Sequence, residues 1–209
     1  MDLVKQQHNK KVFILAIASV IASMLFSFLG APFLRAFAAS SGSKVFWTVG
    51  TLFVATLFVL GIHDTQISQA AVYVGAIWMT LGSYNEFEKR GINWKQAGSV
   101  SLLLGILFAS AGYFYLSLTQ AKSEILSQLI DPLLKAVNTA FPESPIEVNT
   151  LISFLPGIFI ASLFAALAFG FLLETRVNRL FGIQKFKVAS SLKWLEFRLP
   201  DSFVWVSLF

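Results

Sequence analysis

The sequence predicts an all-α fold, a polytopic transmembrane helical bundle with amphipathic helices at its interfaces. Three observations lead there. Leu151 to Leu173 is 23 residues without a charge, about 35 Å of helix against a bilayer core of about 30 Å. The 209-residue chain is 56% hydrophobic and 13% charged, whereas soluble domains carry roughly 25% charged residues. Four more apolar stretches precede the long one, at 12–30, 45–62, 67–81 and 97–118.

The first stretch, 12–30, follows a tail carrying Lys5, Lys10 and Lys11. A basic start, an apolar run and Ala36-Phe37-Ala38 also fit a cleavable signal peptide, although the run is long for one and more spans follow. Ser41-Gly42-Ser43 has the composition of a flexible connector and leads into the second stretch, 45–62. The third, 67–81, is short and has Gln69 inside it. The fourth ends in Tyr113 and Tyr115, which suit a membrane interface. The fifth is 151–173, and a sixth starts at Phe203.

Two other segments read as helices on the membrane surface. In 122–141, Ile125, Leu126, Leu129, Ile130, Leu133, Leu134 and Val137 recur near helical period, opposite Lys122, Glu124, Gln128, Asp131 and Lys135. That is an amphipathic pattern, with Pro132 starting or kinking part of it. In 176–198, Lys185, Lys187 and Lys193 alternate with Phe186, Trp194 and Phe197. Aromatics among lysines suit a headgroup layer. Packing of either helix on the protein's own flank fits the same patterns.

Basic residues flank the apolar stretches, so the +5 net charge reads as topology rather than nucleic-acid binding. Orientation poses a conflict. Lys and Arg concentrate in the N-terminal tail, in 83–96 (Lys89, Arg90, Lys95) and after the fifth stretch, while 119–148 is acidic. Five full crossings would put the tail and the last basic segment on opposite sides. One incomplete crossing removes the conflict, and the short 67–81 stretch is the natural half-helix. Five crossings with the N-terminus outside is the competing solution.

With no cysteine, disulfides, thiolate metal sites and cysteine nucleophiles are excluded. His8 and His63 are the only histidines, and no carboxylate or histidine set has metal-ligand spacing. No cofactor is implied. The H-E-x-x-H, G-x-S-x-G and P-loop patterns are absent, so an enzyme is not expected. Glu86 and Glu88, before Lys89 and Arg90, read as a solvated loop with local ion pairs. His63, Asp64 and Gln69 cluster between the second and third stretches and are candidate ligand-binding residues, because ionisable groups at membrane depth mark function. A water-exposed turn explains His63 and Asp64 equally well. Pro156 frees a backbone carbonyl inside the fifth stretch, as substrate sites in broken helices do, or it makes a simple kink.

Helices in lipid associate through small residues. Ala18 and Ala22 in the first stretch, Gly105 with Ser101 and Ala109 in the fourth, and Gly157, Ala161 and Ala165 in the fifth are candidates for helix packing or for docking another membrane subunit. Ser162, Ala166 and Gly170 form a second ridge beside the last. Lys185, Lys187, Lys193 and Trp194 are candidates for membrane-surface contact.

Leu155-Pro156-Gly157, the helix ending in Glu174-Thr175-Arg176, and Phe197-Arg198-Leu199-Pro200-Asp201 leading to Val204-Trp205 resemble the DUF2232 (YybS-like) family of bacterial polytopic membrane proteins. The resemblance covers about residues 150–209. Members typically continue with further helices after the Leu-Pro element. The family is grouped with the substrate-binding components of energy-coupling-factor vitamin transporters, which bind a small molecule and dock on a membrane subunit through small residues of the first helix. The resemblance implies a multi-pass protein of the bacterial cytoplasmic (inner) membrane, with Ala18-x-x-x-Ala22 at the docking position. The expected function is therefore a small-molecule-binding or transport-associated membrane component, whose partners are the lipid bilayer, a second membrane subunit and a small-molecule ligand. The alternative is a non-catalytic scaffold with no ligand.

Overall fold

A computed structural model describes residues 2–26, 30–119, 122–140 and 147–182. Among them all regular structure is helical: α1 (Asp2–Phe26), α2 (Ala31–Ser40), α3 (Ser43–Leu60), α4 (Thr65–Lys89), α5 (Trp94–Thr119), α6 (Lys122–Ala140) and α7 (Val148–Leu180). Three helices are long and apolar enough to cross a membrane, spanning Ser43–His63, Trp94–Leu118 and Thr150–Leu180. Their outer faces carry large exposed apolar side chains, among them Leu52, Val59, Leu103, Leu107, Phe154 and Leu172. In water such surface would drive aggregation, so the chain is a membrane protein with lipid around these helices.

Helix α4 is the centre of the bundle. It is polar enough in sequence to look short, yet it runs unbroken for 25 residues, about 37 Å. Most of its length from Ala71 to Asn85 is buried, so its neighbours, rather than lipid, solvate Thr80, Ser83 and Asn85. The expected half-helix at 67–81 is thus part of a full-length helix, started by Asp64, whose Oδ1 accepts from the backbone N–H of Gln66 at 2.8 Å and of Ile67 at 3.2 Å. This is ordinary N-capping, supplying an acceptor to amides that have none within the helix.

Close approach around α4 is set by glycines facing bulky residues. A Cβ on Gly50 of α3 would run into Trp78, and one on Gly82 into Phe46 and Trp47. On the other flank, Gly75 receives Phe108, while Gly105 and Gly112 of α5 receive Thr80 and Val72. These pairs place α3 and α5 antiparallel to α4. Tyr73 meets Phe159 and Tyr84 meets Phe171, at ring centroids 5.9 and 4.8 Å apart, so α7 runs parallel to α4. Lys11 donates to the Gly182 carbonyl at 3.3 Å, bringing the start of α1 to the finish of α7.

The chain path therefore sorts charge. One end gathers Lys10, Lys11, Lys44, Lys89, Arg90, Lys95, Arg176 and Arg179; Asp64, Asp131, Lys135 and Glu147 belong to the turns and to α6 at the other. Helix α6 touches α4 and α7 there, with Ile130 buried and Asp131 and Lys135 exposed.

A short helix lies between the first and second apolar stretches. Residues 31–40 form the ten-residue helix α2, about 15 Å long. It packs against α1, α4 and α7 and returns the chain to the basic end that α1 left. Pro32, at the start of α2, is compatible with a first turn that needs no N–H donor from it. The expected boundary of the first apolar stretch at residue 30 is where α2 begins, after α1 ends at Phe26.

Candidate functional site

Helix α2 is nearly enclosed. Ala31, Pro32, Leu34, Ala36, Phe37 and Ala38 are buried, and so is Arg35, at 1% exposure. The alanines let α2 approach its neighbours closely enough to be surrounded. A buried guanidinium costs far more than alanines and leucines around it can offset unless charged partners hydrogen-bond to it. Two carboxylates do so. Arg35 Nε donates to Glu174 of α7 at 2.7 Å, and Nη2 donates to Glu88 of α4 at 2.8 Å. Glu174 is 3% exposed and Glu88 is 21% exposed. The guanidinium carbon lies 3.7 Å from the Phe171 ring centroid and 5.1 Å from that of Tyr84, both within cation–π range.

Helix α4 also satisfies the last turn of α2. Asn85 Nδ2 donates to the Ala38 carbonyl at 3.0 Å, and Lys89 Nζ reaches the same oxygen at 3.4 Å. A cation at a helix C-terminus complements its partial negative charge. Ser43 Oγ donates to Glu86 at 2.5 Å, and Lys89 lies 3.4 Å from the same carboxylate oxygen. Helix α2 is thus tied to the last two turns of α4 by Arg35 and its own C-terminal carbonyl, and to α7 by Glu174.

Hydrogen bonding in the cluster is incomplete. Arg35 Nη1 and both polar atoms of Asn178 are buried without a protein partner. Asn178 is one turn past Glu174, on the α7 stripe of Gly170, Phe171, Glu174 and Phe181 that faces α2, where Phe181 meets Phe33 at 6.4 Å. These groups of Arg35 and Asn178 include both donors and an acceptor. Glu88 stands about 16 Å along the axis from the middle of α4, at roughly 1.5 Å per residue. That depth is the edge of a hydrocarbon layer about 30 Å thick.

The residues chosen from sequence fall elsewhere. His63 is exposed in the 3-10 turn Gly61–His63, Asp64 is the exposed cap of α4, and Gln69 lies half-buried one turn further on. Pro156 is exposed inside α7, which continues through it. Glu86 and Glu88 belong to the end of α4 rather than to a solvated loop, and Arg35, between the first and second apolar stretches, is the most buried cation in the described chain.

Gly105 packs as expected, under Thr80. Ala18 and Ala22 are half-buried, beside the buried Ser19 and Leu15. Of the two ridges on α7, Ala166 and Gly170 turn inward; Gly157 and Ala161 are exposed and Ala165 is half-buried. Lys185, Lys187, Lys193 and Trp194 lie outside the described residues, as does most of 176–198.

A signal for the cluster exists in the sequence. Arg35 is the lone charge in 31–40, and Glu174 is the first charge after the 151–173 run. A lone arginine among apolar residues at membrane depth demands a carboxylate. Choosing Glu174 and Glu88 as that carboxylate requires the helix register.

The chain matches no family model, no curated protein and no solved structure. Its class is set by its own geometry: a membrane protein built as an all-helical bundle, with a charged cluster buried at one edge of its apolar layer.

Proposed function

We propose that the chain is a multi-pass component of a bacterial cytoplasmic membrane, transport-associated and not an enzyme, which binds a small polar molecule at the α2 half-helix. In this topology α3, α4, α5 and α7 cross, while α1 and α2 form a re-entrant hairpin. The basic end then faces the cytoplasm, in keeping with the excess of Lys and Arg there. The observation that carries the reading is Arg35, enclosed on a half-length helix between carboxylates of two crossing helices.

Charges and interrupted helices are costly at membrane depth and are characteristic of solute pathways. The unfilled hydrogen-bonding groups of Arg35 and Asn178 are places for a guest to bind. The DUF2232 resemblance, which includes Pro156-Gly157 and Glu174-Thr175-Arg176, points the same way.

The experiment is native mass spectrometry of the full chain, purified without exchange of bound small molecules. The expected result is a co-purified polar molecule that is lost from Asn178→Leu and Arg35→Gln. An empty protein, whose stability no extract of small metabolites alters, would refute ligand binding.

A second reading has its own observation. The α3–α4–α5 layers are interlocked by five glycines under large side chains, as suits a rigid scaffold for a partner subunit. An empty but tightly folded protein that captures a defined membrane partner would favour it.

A further inference from the structure

We propose that the basic end of the bundle binds anionic glycerophospholipids, with their phosphates held by Lys10 of α1 and by Arg176 and Arg179 of α7. The ion pairs among the described residues use only Arg35 and Lys89 as cations. Lys10, Lys44, Arg90, Lys95, Arg176 and Arg179 are exposed at that end and have no carboxylate partner among the described residues. The described carboxylates nearby are committed: Glu88 and Glu174 to Arg35, Glu86 to Ser43 and Lys89. These cations are available to anions from outside the protein.

Two helix faces say what kind of anion. On α1, Ile14, Ile17 and Ile21 are 55, 44 and 51% exposed, and the same stripe is headed by exposed Lys10 one turn before Ile14. On α7, Phe169 and Leu172 are 37 and 59% exposed, and their stripe continues into exposed Arg176 and Arg179. Each stripe is apolar along the bundle and cationic at its rim. An acyl chain lying on the stripe places its phosphate at the cation. A soluble phosphate would use only the rim and leave the apolar stripes without a role.

The far end offers no such match among the described residues, where exposed Asp64, Asp131 and Glu147 outnumber Lys135. The complementarity belongs to one leaflet, and basic residues at an anionic surface each strengthen binding by about fivefold.

The test titrates the delipidated full chain in detergent with phosphatidylglycerol and, separately, with phosphatidylcholine of the same acyl chains, counting bound lipids by native mass spectrometry. Phosphatidylglycerol should bind at least tenfold more tightly. In K10Q/R176Q/R179Q the two lipids should bind within about twofold of each other, while Lys135→Gln keeps the full preference. Should the triple variant misfold, Arg176→Gln and Arg179→Gln singly should each reduce the preference by about fivefold. Equal binding of both lipids to the unaltered chain, or an undiminished preference in the variants, would overturn the proposal. Displacement of the lipid by an equal concentration of inorganic phosphate would also overturn it, in favour of a free-anion site. The readout is independent of the α2 site, since Asn178→Leu should leave the lipid preference unchanged.

Discussion

Replacing Arg35 by Met is the most decisive perturbation of this fold, and its cost can be worked from the geometry. The side chain has two charge-assisted hydrogen bonds, of 2.7 and 2.8 Å, and stacks on Phe171. At an effective dielectric of about 20, unit charges about 4 Å apart attract by about 4 kcal/mol. The substitution also strands Glu174, which has almost no contact with solvent. Removing one partner of a buried pair costs about 3–5 kcal/mol, and the lost cation–π contact adds roughly 1 kcal/mol. Against this, a helix undocked within a bilayer or micelle finds other partners for its polar groups, which lowers net values. The expected loss is about 3 kcal/mol, roughly two decades in the unfolding equilibrium.

The decisive arm is the rescue. In Arg35→Met/Glu174→Met both buried charges are gone, and Glu88, which reaches solvent, is left alone. Replacing a whole buried pair by apolar residues of similar size is commonly neutral or stabilising, so the double variant should fall within about 1 kcal/mol of the parent. The assay is equilibrium unfolding in mixed micelles of graded SDS content, followed by tryptophan fluorescence. Trp78, against Phe46 at 5.3 Å and Phe53 at 5.9 Å between ring centroids, reports the bundle core. The reasoning is refuted if Arg35→Met costs under about 1 kcal/mol, or if the double variant is no more stable than the single.

Three further outcomes follow from the same geometry. Gly105→Ala should cost about 1–3 kcal/mol, because its Cβ would strike the Thr80 hydroxyl and stand 3.1 Å from the Ala76 carbonyl; adding Thr80→Ala should recover part of that in the same unfolding assay, and strict additivity of the two would contradict the contact. Asp64→Ala removes the acceptor for two backbone amides and should cost about 1 kcal/mol, with faster hydrogen exchange at Gln66 and Ile67, whereas Asp64→Ser should behave nearly like the parent. The chain has no cysteine, so single cysteines at Lys10, Lys44, Lys95 and Arg179 should all react with an impermeant maleimide from one side of the membrane and those at Asp64 and Lys135 from the other; Lys10→Cys and Lys44→Cys reacting from opposite sides would dismantle the re-entrant hairpin.

Much of the architecture was legible in the residues, and for a definite reason. Solvent choice is a property of composition, so the charge-free 151–173 run and the apolar faces of 45–62 and 97–118 suffice to place helices in lipid. What misled was the use of local hydropathy to measure span. The 67–81 stretch looks short because Thr80, Ser83 and Asn85 follow or interrupt it, yet polar groups shielded by other helices do not end the helix, which runs from Thr65 to Lys89. The 31–40 stretch lies between the first two apolar stretches and holds Pro32 and Arg35, yet it folds as a ten-residue helix. Charge counting left two topologies open, and the short helix in the structure lies at 31–40 rather than at 67–81. The α7 ridges show the same limit: Gly157, Ala161 and Ala165 have the same spacing as Ser162, Ala166 and Gly170, and spacing does not say which ridge turns inward.

The sequence by itself determined the helical class, the lipid surroundings and the separation of basic from acidic segments, since these depend on which residues are present and on period along one helix. Only the tertiary structure decided that Arg35 lies between Glu88 and Glu174, that glycines on three helices receive the large side chains opposite them, and that three basic segments share one end. Each of those depends on the register and facing of helices far apart in the chain, and a buried charge acquires its partner only when that register is fixed.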